Sequence, residues 1–262
     1  MLHSDQKTTL SEFMEQLNTA RASVLLLDYD GTLAPFRTER SQAYPYPGVV
    51  PLLESILRSG KSRVVIVTGR PIAEIGLLLS PLHNIEIWGS HGLEHLLADG
   101  TFSQKMIAPE TAAVLSQAGS WLIAAGLAHR TEVKPGGIAV HWRGMPDAEM
   151  KSVQACAQDG LSVFAQQPEL KLLEFEAGLE LRVAHPDKGD AVSSILSGSN
   201  HKTPVAFLGD DLTDEDAFSA LNSDGLTVLV RPEYRETNAR IWLQPPHELI
   251  SFLEQWLNNI SA

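Results

Sequence analysis

The chain has 262 residues, a formal net charge of -12, 44% hydrophobic residues and 20% charged residues. This length is enough for one large domain or two small ones with a sizeable hydrophobic core. The acidic balance, without any Lys/Arg cluster, argues against binding to nucleic acid or to an acidic membrane surface. A single cysteine, Cys156, excludes a disulfide within the chain, which is typical of a reducing compartment.

The sequence contains no pattern that indicates export or membrane insertion. The N-terminal segment lacks the basic and apolar regions of a secretory signal, and no stretch is long and apolar enough to span a bilayer. We therefore expect a cytoplasmic protein without a membrane partner. No pattern sets the oligomeric state, for which a monomer is favoured.

The first third of the chain alternates between predicted strands and helices. An amphipathic helix around Leu10–Leu17 precedes a buried strand, SVLLLDYD, and a helix, VVPLLESILRSG. A second buried strand at Arg63–Thr68, the helix PIAEIGLLL and the short strand NIEIWGSHG follow. This rhythm predicts a parallel α/β sheet.

The pattern changes after about Leu96 and resumes at Lys188. The intervening stretch predicts a long helix (PETAAVLSQAGSWLIAAGL), two strands in RTEVKPGGIAVHWR and a helix from Pro146 to about Asp159. Three strands are predicted next, in LSVFAQQ, KLLEFEAG and LELRVA. From Lys188 the order is helix KGDAVSSIL, strand PVAFLGDD, helix TDEDAFSAL, strand LTVLV and terminal helix HELISFLEQWLNNI.

These alternations predict two domains, one inserted into the other. The α/β core is predicted at residues 1–94 and 186–262, and an inserted α+β domain at residues 95–185.

Polar side chains follow several predicted core strands. Asp28 and Asp30 follow the first strand, and Asp210, Asp211 and Asp214 follow the strand VAFLG. Ligands of open α/β sheets bind at the carboxyl ends of the strands, so these carboxylates can converge. Carboxylates that converge repel each other unless a cation lies between them, and a small set of hard oxygen ligands suits Mg²⁺.

Three further groups are candidates for the oxygens of a phosphoryl group. Thr68 follows the second strand, and Lys188 opens a helix. The segment Thr68-Gly69-Arg70 also leads from a strand towards a helix, whose N-terminal N–H groups would favour an anion.

Four segments, DYDGTLAPF, VIVTGRP, DKGDAV and FLGDDLTDEDAF, resemble the motifs of the haloacid-dehalogenase-like phosphatases, in the same order. The insert between the second and third motifs resembles the branch with an α/β cap. GSHGLEH, EVKPGGIAVHWR and LELRVAHPDKG are similar to segments of trehalose-6-phosphate phosphatases. In that family a Lys precedes a His-aromatic-Arg segment by seven residues, as Lys134 precedes His141 here. A Glu precedes the Lys of the third motif by eight residues, as Glu180 precedes Lys188 here. The chain departs at Val183, where the family usually has Pro.

The resemblance implies a Rossmann-like, doubly wound parallel sheet with an inserted α+β cap. It implies hydrolysis of a sugar phosphate, with trehalose 6-phosphate as the first candidate, through an aspartyl phosphate. Asp28 would be the nucleophile, and Asp30 the general acid and base. Mg²⁺ would be held by Asp28, the Asp30 carbonyl and Asp210, with Asp211 or Asp214 nearby. Phosphate would be bound by Thr68, Gly69, Arg70 and Lys188, and the sugar by Glu94, Lys134, His141, Arg143, Glu180 and Arg182.

Other interpretations of the same residues stay open. The substrate could be another glycosyl phosphate, or the chain a phosphohexomutase, which would need a second phosphate site. A receiver-like signalling module also groups acidic residues, Thr and Lys around Mg²⁺, but it has no inserted domain and about half this length. A catalytically inactive binding protein would not need intact motifs.

Three further groups of residues have alternative interpretations. His91-Gly-Leu-Glu94-His95 matches a zinc-protease pattern, but that pattern requires a helix, and here it follows a predicted strand among glycines. Asp214 and Glu215 could simply favour the N-terminus of a helix. Lys134, His141, Arg143 and Arg182 alternate along predicted strands and could be a merely exposed face.

Overall fold

The structure is a computed structural model that describes residues 4–197, 203–221 and 224–261. The chain divides into two compact units, which we call the larger unit and the smaller unit. The larger unit comprises Met1–Ser103 and Lys188–Ala262, and the smaller unit comprises Gln104–Asp187. In the described residues, no helix has the length and apolar character needed to cross a membrane.

The larger unit is built on one twisted sheet. Its strands are β1 (Ser23–Leu27), β2 (Ser62–Val67), β3 (Glu86–Gly89), β4 (Glu94–Leu96), β5 (Phe102–Gln104), β10 (Val205–Gly209), β11 (Leu226–Val230) and β12 (Ile241–Leu243). In the described residues they are ordered β12-β11-β10-β1-β2-β3-β4-β5. The strands from β12 to β3 are parallel, and β4 pairs antiparallel with β3. Because β4 belongs to this sheet, residues 95–103, predicted to lie in the insert, fall in the larger unit.

Helices cover both faces of this sheet. They are α1 (Ser4–Thr19), α2 (Val49–Arg58), α3 (Ile72–Leu78), α6 (Lys188–Leu196), α7 (Glu215–Leu221) and α8 (His247–Ser261). Leu25 and Leu27 of β1 pack into the core formed with α1, α2, α3 and α8. Val24 and Leu26 point the other way, into the core formed with α6 and α7. A parallel sheet buried on both faces explains why its strands read as continuous apolar runs.

The chain reverses its direction across the sheet between two central strands. From β1 it proceeds through β2 to β3 on one side, and from β10 through β11 to β12 on the other. β1 and β10 are parallel neighbours, so their carboxyl ends lie side by side at this reversal. That is where open α/β sheets form ligand sites, and Asp28 and Asp210 follow these two strands directly.

The smaller unit combines an antiparallel sheet with two long helices. Its strands are β6 (Thr131–Lys134), β7 (Gly137–His141), β8 (Leu170–Phe175) and β9 (Gly178–Val183), and its helices are α4 (Pro109–Ala124) and α5 (Asp147–Phe164). Within the described part of the chain the strand order is β6-β7-β9-β8, and each neighbouring pair is antiparallel.

One predicted strand of the smaller unit is wrong. The segment LSVFAQQ was expected to be a strand, but α5 continues through its first four residues to Phe164. Gly160, which suggested a break, instead allows close packing, since a Cβ there would lie 1.9 Å from the Trp121 ring. Ala157 and Leu161, which lie four residues apart on the same face of α5, are buried, and the packing of this face stabilises the helix. The short strands β4, β5 and β12 were not predicted, because each has three residues and a weak alternation.

Candidate active site

Three buried charged side chains form the centre of the larger unit's site. Lys188, the first residue of α6, donates from its ammonium group to Asp28 Oδ1 and to Asp214 Oδ1, each at 2.7 Å. The side chains of these residues are at most 5% exposed. A buried ammonium between two carboxylates is the arrangement in which ion pairs and hydrogen bonds offset desolvation. Lys188 thereby fixes the orientation of the Asp28 carboxylate at the end of β1.

Asp214 shapes the turn that follows β10. Its second oxygen, Oδ2, accepts hydrogen bonds from the backbone N–H groups of Asp210 (3.1 Å) and Asp211 (3.0 Å). The Asp211 side chain in turn accepts hydrogen bonds from the N–H of Leu212 and from the N–H of Asp214, and the latter completes a reciprocal capping box with Asp214. Both Asp214 oxygens are thus hydrogen-bonded by Lys188 and the turn. The helix-starting interpretation of Asp214 and its place in the acidic cluster are therefore compatible.

Asp210 presents a carboxylate oxygen with room beside it. Its side chain is buried, and among the described residues its Oδ2 has no hydrogen-bond partner. Ligand atoms of Asp28, Asp210 and Asp214 all lie within 4.8 Å of one another. Gly31 contributes the space, because it has φ +80° and a Cβ there would lie 2.1 Å from Asp210 Oδ2. Clustered hard oxygens with one unsatisfied buried acceptor fit a divalent cation such as Mg²⁺.

Two carboxylates of this cluster, those of Asp28 and Asp210, have raised pKa values. Burial raises the pKa of Asp28 from 3.8 to about 7, with Lys188 acting against this rise and Asp214 adding to it. Burial, together with the charges of Asp28 and Asp214, also raises the pKa of Asp210 well above its usual range. Burial alone would lower the pKa of Lys188, but Asp214 and Asp28 raise it above its ordinary value. Lys188 and the Arg231 guanidinium, whose Nη1 lies 4.0 Å from Asp210 Oδ2, leave the pKa values of Asp28 and Asp210 raised, and a divalent cation would relieve the repulsion among the three carboxylates.

Asp30 lies two residues after Asp28 and is held by an arginine. Arg70 Nε and Nη2 donate to the two carboxylate oxygens of Asp30, each at 2.6 Å. The same guanidinium donates from Nη1 to the carbonyl of Arg40 at 3.0 Å and lies 5.6 Å from the centre of the Tyr29 ring. Such a two-point fork fixes both position and rotamer. The Arg70 side chain, predicted to bind phosphate, is directed to Asp30 in this structure.

Thr68 and Gly69 form a tight turn after β2. The Thr68 side chain is buried, and its Oγ1 accepts a hydrogen bond from the Arg70 N–H at 3.2 Å. Gly69 is required there because a Cβ would lie 2.6 Å from the His91 ring. Because β1 and β2 are parallel neighbours, the turn places the Thr68 hydroxyl at the same edge of the sheet as Asp28.

Glu94 has partners other than those predicted. It was expected to bind sugar, but its Oε2 accepts hydrogen bonds from the Ile72 N–H (3.1 Å) and from Ser90 Oγ (2.7 Å). The carboxylate therefore caps the start of α3, where the sequence predicted an anion site for phosphate. The neighbouring His95 stacks on Trp88 with ring centres 4.0 Å apart. Among the described residues, the HxxEH pattern forms no converging group of metal ligands.

The smaller unit gathers predicted sugar-binding residues on one face of its sheet. The register pairs Gly137 with Arg182 and Ala139 with Glu180, so these side chains share a face with Lys134, His141 and Glu132. Lys134 Nζ lies 2.5 Å from Glu180 Oε1, and both side chains are buried. His141 Nε2 lies 2.7 Å from Glu132 Oε2. On this face, Lys134 therefore contacts Glu180, and His141 contacts Glu132.

Two predicted arginines are held by backbone carbonyls. Arg143 follows β7 and donates from Nη2 to the carbonyl of Glu176 at 2.7 Å. Arg182 donates from Nη1 to the carbonyls of Val183 and Pro186, each at 3.2 Å. Glu132 was missed from the sequence, although TEVK places it two residues before Lys134 on the same face.

Known proteins match this chain in sequence and in fold. The family model described as Trehalose-phosphatase matches residues 26–244, which is most of the chain. The chain belongs to the trehalose-phosphatase family. The resemblance expected from the motifs is thereby confirmed, and the family is one of phosphoric monoester hydrolases.

The family's relatives match along nearly the whole chain. "Trehalose-phosphate phosphatase B" of Arabidopsis thaliana is 30% identical over 95% of this chain and 70% of that protein. "Trehalose-phosphate phosphatase" of Mycobacterium ulcerans is 29% identical over 93% of this chain, which spans 64% of that protein. The solved C-terminal domain of C. albicans trehalose-6-phosphate phosphatase has a TM-score of 0.80 at 19% identity, covering 95% of this chain and 96% of that domain, and shows the fold. The predicted Rossmann-like core with an α+β insert is confirmed as the fold class.

Proposed function

We propose that this chain is a Mg²⁺-dependent phosphatase that hydrolyses a sugar phosphate, with trehalose 6-phosphate as the preferred substrate. The observation that carries the proposal is the Asp28 carboxylate at the end of β1, oriented by Lys188 and adjacent to the buried, unsatisfied oxygen of Asp210. Membership of the trehalose-phosphatase family and the names of its relatives support the substrate.

Asp28 acts as the nucleophile in this proposal. One of its carboxylate oxygens forms a bond to phosphorus while the bond from phosphorus to the sugar oxygen breaks, giving an aspartyl phosphate and a free sugar. Water then attacks phosphorus, which releases inorganic phosphate and restores the Asp28 carboxylate. Lys188 keeps the nucleophile oriented and stabilises the phosphoryl oxygens together with the Thr68 hydroxyl. Asp28 and Asp210 would hold Mg²⁺, which would supply neutralisation of the phosphoryl charge.

Asp30 handles the protons of both steps. It donates a proton to the departing sugar oxygen and accepts one from the attacking water. In the structure its carboxylate is bound by Arg70, so it must leave or share this ion pair to reach the leaving group. Arg70 thus serves Asp30 in this proposal rather than the phosphate.

The smaller unit supplies recognition of the sugar. Lys134, His141, Glu180 and Arg182 offer donors and acceptors in fixed directions, because their partners hold them on one face. A disaccharide phosphate is rich in hydroxyl groups, which such a face can bind. In functional terms the smaller unit acts as the cap and the larger unit as the catalytic core.

Release of inorganic phosphate from a panel of sugar phosphates tests the proposal. Purified protein with Mg²⁺ is expected to hydrolyse trehalose 6-phosphate faster than glucose 6-phosphate and mannose 6-phosphate. Asp28→Asn provides the matched inactive control. Isomerisation of a hexose phosphate without phosphate release would favour a mutase, and faster turnover of another glycosyl phosphate would change the substrate alone. A stable phosphoprotein without turnover would favour a receiver-like module, and no reaction at all a binding protein.

A further inference from the structure

The segment that follows β11 reaches back to the turn that carries Asp210. We call Arg231–Arg240 the arginine loop. Arg235 donates from Nε to the carbonyl of Asp210 at 3.2 Å and from Nη2 to the carbonyl of Asp211 at 2.7 Å. Its Nη1 donates to Glu215 Oε1 at 2.5 Å and to the carbonyl of Glu236 at 2.9 Å. One guanidinium therefore uses all three of its nitrogen atoms, and two of its bonds hold consecutive peptide groups.

Glu215 fixes the position of this arginine. Besides Arg235, its carboxylate accepts hydrogen bonds from Thr237 Oγ1 at 2.7 Å and from the N–H of Asn238 at 2.9 Å. Glu215 is the first residue of α7 and follows Asp214 directly, and the two side chains have different partners. Asp214 faces Lys188, while Glu215 faces the arginine loop. The Arg235 side chain is 17% exposed, so its ion pair is shielded more than a surface pair.

The peptide groups around Asp210 are consequently held from two sides. Their N–H groups donate to Asp214 Oδ2, and the carbonyls of Asp210 and Asp211 accept from Arg235. Arg231 adds a longer contact from Nη1 to the Asp210 carbonyl at 3.4 Å. Asp210 Oδ2 has no hydrogen-bond partner among the described residues, and Arg231 Nη1 lies 4.0 Å from it, so this backbone and the arginine loop together set the direction of the carboxylate. Outer groups that orient a ligand contribute strongly to metal affinity.

We propose that Arg235, anchored by Glu215, is a positioning residue that fixes the Asp210–Asp211 turn and so aims the Asp210 carboxylate at a divalent cation. The inference rests on the proposed function, because it takes Asp210 as a cation ligand. Arg235 lies outside the four motifs and makes no contact with substrate in this role. Its loss should therefore weaken cation binding more than it weakens the fold.

Thermal unfolding measured against MgCl₂ concentration tests this role without relying on turnover. A cation that binds the folded state stabilises it in proportion to ln(1 + [Mg²⁺]/Kd), so a fit of Tm against MgCl₂ concentration gives Kd, the concentration that we call the Mg²⁺ midpoint. Arg235→Ala is expected to raise the Mg²⁺ midpoint by at least about 10-fold relative to the unmodified chain. Arg235→Lys keeps the charge but cannot reach two carbonyls and Glu215 at once, so an intermediate midpoint is expected.

Arg63→Ala is the matched control. Arg63 also forks a carboxylate, that of Glu86 at 2.8 Å, and also reaches a carbonyl, that of Ile195 at 3.3 Å, within the larger unit. Its removal should lower Tm in metal-free buffer and leave the Mg²⁺ midpoint within about 2-fold of the unmodified chain, because none of its partners is a proposed ligand.

Each outcome decides the inference. An Arg235→Ala midpoint within about 2-fold of the unmodified chain, with a lowered Tm, would make Arg235 a structural residue and overturn the proposal. If Arg235→Ala does not fold, Arg235→Lys and Glu215→Gln decide, and unchanged midpoints in both would overturn it. If the unmodified chain shows no response to Mg²⁺, the proposed metal-dependent function fails together with the inference. A normal response in the unmodified chain separates the two failures.

Discussion

The acidic cluster of the larger unit and the polar face of the smaller unit use charge in opposite ways. In the cluster, Lys188 donates to two of three buried carboxylates, and Asp210 Oδ2 has no hydrogen-bond partner among the described residues, with Arg231 Nη1 4.0 Å away. On the polar face, Lys134 is paired with Glu180, and His141 with Glu132. The cluster therefore holds carboxylates with raised pKa values, whereas on the face Lys134 and His141 each contact a glutamate carboxylate directly.

This difference supports the proposed division between chemistry and recognition. An under-neutralised cluster is stable only with a bound cation or with protonated carboxylates, and a cation held there would neutralise the phosphoryl charge. A face of paired charges exerts a weaker field but offers hydrogen-bonding groups in fixed directions. Such groups suit neutral hydroxyls and penalise a substrate that lacks them. The predictions below test this division, beginning with the largest expected effect.

Asp28→Asn should separate the activity of the cluster from its stability. The amide cannot attack phosphorus, so phosphate release should fall by at least about 1,000-fold for every substrate. Loss of one carboxylate also reduces repulsion with Asp214 and Asp210, so Tm in metal-free buffer should be unchanged or higher. Phosphate release and thermal unfolding measure the two effects. Activity close to that of the unmodified chain would remove Asp28 from the role of nucleophile.

Asp30→Asn should show an effect that depends on the leaving group. A sugar alcohol leaves poorly and needs a proton, so turnover of trehalose 6-phosphate should fall by about 100-fold. Turnover of 4-nitrophenyl phosphate, whose leaving group needs no proton, should fall much less. Equal losses on the two substrates would mean that Asp30 positions the nucleophile instead of transferring protons.

Lys134→Ala and Glu180→Ala should affect recognition without affecting chemistry. Each is expected to lower kcat/KM for trehalose 6-phosphate by at least about 10-fold, about 1.4 kcal/mol, and to leave hydrolysis of 4-nitrophenyl phosphate nearly unchanged. Since each single change leaves a buried charge unpaired, Tm of the double variant should be measured alongside. Parallel losses on both substrates, or none, would break the proposed division between the two units.

Much of this arrangement could be predicted from the sequence, and the reasons differ between residues. Asp28, Asp210 and Lys188 stand at strand ends and a helix start, and the topology of a parallel sheet brings such positions together. The pairing of Asp30 with Arg70 could not be predicted, because forty residues separate them and a guanidinium has several candidate partners. Glu94 stays a predicted sugar ligand, and its contacts with the Ile72 N–H and with Ser90 could not be predicted, because they depend on how the chain folds around the start of α3. The predicted end of the helix that corresponds to α5, at about Asp159, was wrong. Gly160 packs closely against Trp121, and hydrophobic periodicity does not reveal such a contact.

The smallest predicted effect concerns the pH dependence of stability, and it isolates the charge excess of the cluster. Burial raises the pKa of Asp28 in the folded chain from 3.8 to about 7, so the folded state keeps a proton that the unfolded chain has lost. Stability contributed by this group therefore falls as pH rises from about 4 to about 7. Lys188, whose pKa is raised, stays protonated throughout this window and adds no slope.

Asp28→Asn removes this titration together with the part of the raised Asp210 pKa that the Asp28 charge causes, so the comparison of the two chains measures the coupled pair. In chelator, the drop in Tm between pH 5.5 and pH 7.5 should be larger for the unmodified chain than for Asp28→Asn by at least about 2 °C. Saturating Mg²⁺ binds the ionised carboxylate, so it should shrink or reverse the drop in the unmodified chain and do less in the variant. Identical slopes in the two chains would mean that Asp28 is not under-neutralised, and the contrast between the cluster and the polar face would lose its electrostatic basis.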